Sequence, residues 1–173
     1  MQREKKMASR SKRVTHRQLE AGTLFNIPLP KGRVVIGQIV RPGIEFYMCA
    51  YLPALPRADA PTPPMESLTP VLCCLTNDAA FYHGRWTLRG HASVRPDVPY
   101  PHFLVNDYQR GPVVQDLDEK VVRKASAGDE ARIPLRTNVG EENVTDVLRA
   151  MLASKPLPED SEHMLVEFIR ERQ

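Results

Sequence analysis

Five histidines and three cysteines are the residues of this 173-residue chain best suited to chemistry. His83, His91 and His102 are separated by eight and eleven positions. Loops that brought them together with Asp97 or Asp107 would form a metal site. No pair has the i, i+4 spacing that a helix forces onto one ion, and His16 and His163 lie far off in sequence. Cys73 or Cys74 beside His83 would pair a nucleophile with a base. Yet both thiols sit in the apolar run VLCCL, and apolar surroundings raise a thiol pKa and suppress its reactivity. The chain has no GxSxG, HExxH, phosphate-loop or CxxC motif. No catalytic residue, cofactor or metal ligand is therefore assigned. A hydrolase built on the histidines remains a reading that bound metal would test.

A different chemistry lies between Tyr100 and Glu119. The acids Asp107, Asp116, Asp118 and Glu119 stand close in sequence to Tyr100, His102 and Tyr108. Aromatic side chains anchor protein interfaces and charge steers the encounter. These seven residues form a candidate contact face for a basic protein partner.

The net charge of +3 is unevenly spread. Residues 1–17 hold seven Lys/Arg and one acid, a surplus of six. The remainder holds 17 bases against 20 acids, a deficit of three. Residues 1–21 are expected to be a flexible basic arm, too poor in large apolar side chains to offset the entropy of ordering. A basic arm can bind nucleic acid through phosphates, which makes a nucleic-acid-binding module the alternative functional reading. The arm has no aromatic residue to stack on bases. No apolar run reaches the roughly 18 to 20 residues that span a bilayer, and no signal peptide is visible. Three cysteines, two of them adjacent, do not make a disulfide framework. A cytoplasmic protein with reduced thiols is expected.

The elements that must position these residues are mostly strands. Phe25, Ile27 and Leu29 alternate with Leu24, Asn26 and Pro28. Pro30 to Arg33 supplies a turn, and RVVIGQIVR (33–41) is apolar on both faces, as in a strand covered on both sides. Gly37 in its middle points to a bulge or a close backbone approach. EFYMCAY (45–51), VLCCL (71–75), RWTLR (85–89), HFLV (102–105), KVVRK (120–124) and RIPLR (132–136) are further strand candidates. Six prolines between Pro53 and Pro70 predict a rigid, extended connection. Val144, Val147, Leu148, Met151 and Leu152 recur at helical spacing, with Asn138 and Glu141 as a capping pair. Met164, Leu165, Phe168 and Ile169 mark a second helix. The expected fold is α+β: residues 22–173 as one domain, with a bent antiparallel sheet or partly open barrel and two C-terminal helices.

The stretch GTLFNIPLPKGRVVIGQIV (22–40) resembles the N-terminal signature of immunity protein family 26 of bacterial polymorphic toxin systems. The matching positions are Gly22, Thr23, Phe25, Ile27, Pro28, Leu29, Gly32 and Gly37. A second block, HGRWTLRGHASV, is similar to the family's Gly-Arg-Trp segment through Gly84, Arg85, Trp86 and Gly90. PYPHFLVND (99–107) looks like its proline-and-phenylalanine strand. Thr87 stands where the family commonly has a proline. The resemblance covers Gly22 to Asp107 and implies a non-enzymatic immunity protein that binds and neutralises a cognate toxin domain, such as a basic nuclease-type domain. The matched residues carry scaffold roles: Gly32 relaxes a turn, Gly37 permits close packing, Trp86 fills core and Arg85 pairs with a carboxylate.

Overall fold

The computed structural model describes residues 14–172. Two antiparallel sheets dominate it. The first has five strands: β1 (Thr23–Pro28), β2 (Val34–Arg41), β3 (Glu45–Leu55), β4 (Thr69–Asn77) and β5 (Thr87–His91), in the spatial order β4-β3-β2-β1-β5. The second has three: β6 (Phe103–Asp107), β7 (Gly111–Gln115) and β8 (Val121–Lys124), in sequential order. The helices are α1 (Ala79–Tyr82), α2 (Glu141–Leu152) and α3 (Val166–Glu171). The α+β class holds, and both expected C-terminal helices form. The first sheet does not close into a barrel, since β4 and β5 are its two edges. Among the described residues, no helix is long and apolar enough to cross a membrane.

Both faces of the first sheet are covered, which is why β2 carries apolar residues on both sides. Phe25, Ile27, Val35, Ile39, Met48 and Leu72 face one apolar cluster, into which α2 delivers Val144, Val147 and Leu148. Leu24, Ile36, Tyr47, Cys49, Tyr51 and Cys73 face the other, shared with Phe103 of the second sheet and with Val166 and Ile169 of α3. Burying each such side chain contributes roughly 1.5 to 3 kcal/mol. Gln38 brings an amide into the second cluster. It donates to the carbonyls of Ala92 (3.0 Å) and Ser93 (3.2 Å) and accepts from the Tyr51 hydroxyl (2.8 Å).

Gly37 is opposite Phe25 in the β1–β2 register. A Cβ at position 37 would lie 2.3 Å from Phe25 Cζ. The Phe25 ring thus lies flat over the glycine, stacked on Trp86 at 5.0 Å and edge-on to Phe81 at 5.0 Å. The close approach expected at Gly37 is this contact.

The proline-rich connection is shorter than its proline content suggests, because Pro53 belongs to β3 and Pro70 to β4. Two arginines fasten it. Arg89 donates to the Ala58 carbonyl (2.8 Å), to Thr62 Oγ1 (2.8 Å) and to the Ala60 carbonyl. Arg95 donates to the carbonyls of Met65 (2.6 Å) and Leu68 while gripping Asp97.

Four expectations change. Strand β7 was not anticipated, because Gly111-Pro112 has the composition of a turn. RIPLR is not a strand; it touches β6 only through a single parallel bridge between Leu104 and Leu135. Asn138 does not cap α2: it bonds Glu45 (2.5 Å), and Gly140 is the N-cap. The body also begins before Gly22. Leu19 is buried, Val14 packs on the first cluster and the His16 N–H donates to Asp78 (2.7 Å). The rest of the expected arm, residues 1–13, lies outside the described residues.

Gly37→Ala should cost about 1 to 3 kcal/mol in denaturant unfolding, as overpacking does. Phe25 is held between Phe81 and Trp86 and cannot swing away. Added to Phe25→Leu, the same change should cost less than it does alone. Equal costs in both backgrounds would show that the ring does not sense position 37.

Candidate functional site

The seven residues of the expected contact face fall in two groups at opposite ends of the second sheet. Asp107 and Tyr108 lie at the β6–β7 turn, while Asp116, Asp118 and Glu119 lie at the β7–β8 turn. Each strand between them has five residues, so the two turns stand roughly 13 to 17 Å apart at opposite ends of the sheet. Tyr100 and His102 precede β6 and fall at the Asp116 end.

At the first turn, Asp107 Oδ1 accepts the N–H groups of Gln109 (2.8 Å) and Arg110 (3.0 Å). Those bonds hold its carboxyl below the usual range. Tyr108 projects fully into solvent. At the other turn, the acids are committed within the chain. Asp116 accepts the Lys120 N–H (2.9 Å), Asp118 pairs with Arg41 (2.9 Å) and Glu119 pairs with Arg136 (3.2 Å). Arg136 also donates to the Asp116 carbonyl (3.3 Å) and lies 5.3 Å from the Phe103 ring centre. Asp118 and Glu119 thus tie the β7–β8 turn to Arg41 of β2 and to Arg136 beyond β8, while Asp116 holds the turn itself. Tyr100 is half exposed, 6.4 Å from the Tyr47 ring.

The histidines scatter. His16 approaches Asp78 (3.4 Å), His91 Nε2 is 2.8 Å from the Ala21 carbonyl and His83 stands edge-on to Tyr82. Among the described residues, no three His, Cys, Asp or Glu side chains group as a metal site would need. Cys49, Cys73 and Cys74 are free and buried, and burial pushes the Cys49 and Cys74 thiols above their ordinary range.

The residues of the two motif blocks, by contrast, converge. Gly22 is fixed by its N–H to the Ile39 carbonyl (2.8 Å) and by its own carbonyl to the Ala92 N–H (2.9 Å). Phe25 and Ile27 are fully buried, Pro28 ends β1, and Gly32 completes the β1–β2 turn. Gly84, with φ of 70°, reverses the chain just past α1. The N–H groups of Arg85 (2.8 Å) and Trp86 (3.1 Å) then both reach the Ala80 carbonyl. This turn sends Trp86 inward onto Phe25 and Arg85 outward to Glu141, the first residue of α2. The paired carboxylate and the core tryptophan both match expectation.

Arg85 opens onto a feature that sequence reasoning missed. A trough runs between the β1–β2 turn and α2, made of two adjoining cavities of about 540 and 740 Å³. Pro28, Leu29, Pro30, Arg85 and Trp86 form its sheet side at one end. Glu141, Glu142, Thr145, Asp146 and Arg149 form the helix side there. Beyond the shared Leu29, Pro30, Asp146 and Arg149, the second cavity reaches Lys31, Arg33, Lys155 and Leu157. Glu141 is only 13% exposed. Its Oε1 faces Arg85, while its Oε2 is buried without a hydrogen-bond partner among the described residues. The only sequence signal for this trough was helical period on α2; its other wall comes from two distant segments, 28–33 and 85–86.

Arg136→Ala should lower stability by about 1 to 2 kcal/mol, since one change removes a carbonyl bond, an ion pair and a ring contact. Asp118→Asn, at an exposed pair, should cost under about 1 kcal/mol. Equal costs in chemical denaturation would mean that Arg136 is no anchor. Past β8, Asp129 accepts from Arg123 (2.7 and 2.8 Å) and from the Ser126 N–H and hydroxyl, which hold its carboxyl far below the usual range. A depressed folded pKa stabilises above the unfolded value near 3.9 and is lost as pH falls through and below it. Asp129→Asn should therefore melt below the parent at neutral pH, with the gap closing below about pH 4. A gap independent of pH would refute the role of the ionised carboxylate.

No family model matches this chain, and no curated protein or solved structure matches it.

Proposed function

We propose that this chain is a non-enzymatic immunity protein that binds and neutralises a cognate toxin domain in the cytoplasm. The observation that carries this reading is the meeting of two motif blocks far apart in sequence. Phe25 of the first block lies over Gly37 of the same block and stacks on Trp86 of the second. The resemblance thus falls on residues that cooperate in one piece of scaffold. Such residues hold shape, and binding belongs to the surfaces that the scaffold carries. The deficit of three charges outside residues 1–17 favours a basic partner such as a nuclease-type domain. Because Asp116, Asp118 and Glu119 are engaged within the chain, the contact is not assigned to a single face running from Tyr100 to Glu119.

The test is co-expression with the C-terminal domain of a large secreted protein encoded beside this chain. A stoichiometric complex on gel filtration and restored growth of toxin-expressing cells are expected. Growth arrest despite equal expression, with no complex, would overturn the proposal.

A further inference from the structure

The trough between the β1–β2 turn and α2 has unlike charges at its two ends. At the Arg85 end, Arg85 is spent on Glu141, and Arg149 on Asp146 (3.1 Å). That leaves Glu142, and the bare Oε2 of Glu141, without a cation or donor among the described residues. At the far end Lys31, Arg33 and Lys155 are exposed and make no ion pair among the described residues. The floor between them is apolar, formed by Leu29 and Ala150.

From this arrangement we infer that the trough binds an extended peptide segment of a protein partner, in one direction. The segment carries Arg or Lys at the Glu141–Glu142 end, apolar side chains over Leu29 and Ala150, and Asp or Glu at the Lys31–Lys155 end. The length fits. The twelve residues of α2 span about 18 Å at 1.5 Å per residue. Six steps of extended chain at about 3.3 Å cover roughly 20 Å. Alternate side chains of that chain would point into the trough, as one face of a strand does. A cation at that end would meet the exposed Glu142 carboxylate, which has no ion pair among the described residues, beside the Glu141–Arg85 pair. Residues 1–17 do not carry this pattern, since their single acid, Glu4, has no Lys or Arg six positions before it.

This inference rests on the immunity reading only in taking the segment to belong to the toxin; the trough itself can be tested without one. The probes are blocked heptapeptides with Arg first, Leu third and fifth, Glu seventh and serine between, and the same peptides with Arg and Glu exchanged. In titrations followed by amide resonances, the first set should bind at least tenfold more tightly. The shifts should concentrate at Leu29–Arg33 and along α2. The variant carrying both E142K and K155E, exposed positions at opposite ends, should reverse that preference and remain folded, with only a small loss in melting temperature from charges reversed at the two ends of the helix dipole. No binding at millimolar peptide, equal binding of both sets, or an unreversed preference would overturn the inference. A toxin complex that survives E142K/K155E with full protection would overturn it too, and would leave the immunity reading standing. Reversed peptide preference without any toxin complex would do the opposite.

Discussion

Everything on the helix side of the first sheet depends on a phenyl ring lying flat against a backbone with no side chain. Gly37 lets Phe25 settle onto β2, and the settled ring offers a flat face to Trp86. Trp86 can take that face only because the chain reverses at Gly84, and the same reversal turns Arg85 outward. Arg85 in turn meets the first residue of α2. The order runs from glycine to ring, from ring to indole, and from there to the ion pair that sets where the helix begins. Acids in that first turn also suit the helix dipole.

The opposite face is organised by arginine. The connection between β3 and β4 has prolines where other chains have N–H groups, so its carbonyls lack ordinary ladder partners. Arg89 and Arg95 supply the donors, each reaching two or more carbonyls with one planar group. Burial makes the Arg89 guanidinium somewhat easier to deprotonate than usual, the expected consequence of drawing a cation toward the sheet. Arg41 and Arg136 tie the second sheet down in the same manner, through the carboxylates of its β7–β8 turn.

Local pattern revealed the elements whose periods were clean. The β1–β2 hairpin, the two-faced β2, β3, β4 and α2 could all be read from alternation or helical spacing. β7 could not, because its first two residues have turn chemistry and its apolar core is only Val113 and Val114. RIPLR has strand composition but lies where β6 needs just one bridge. The residues of the expected contact face are divided for another reason. Sequence proximity gathered the acids, but strand geometry separated them, and arginines from other segments neutralised two of them, Asp118 and Glu119. A count of charges along a chain does not show which are already matched. The trough escaped notice because its walls come from the first hairpin and the last long helix.

Three thiols lie buried in β3 and β4 of the first sheet, with Cys49 and Cys73 directly opposite each other and Cys74 on the other face. None can meet a reagent from solvent while both layers stay in place. Their reaction with an alkylating agent is therefore a clock set by opening of the protein rather than by the chemistry of the thiol. Because the layers over the two faces differ, Cys74 keeps time for the α2 side and the Cys49–Cys73 pair for the side covered by the second sheet and α3.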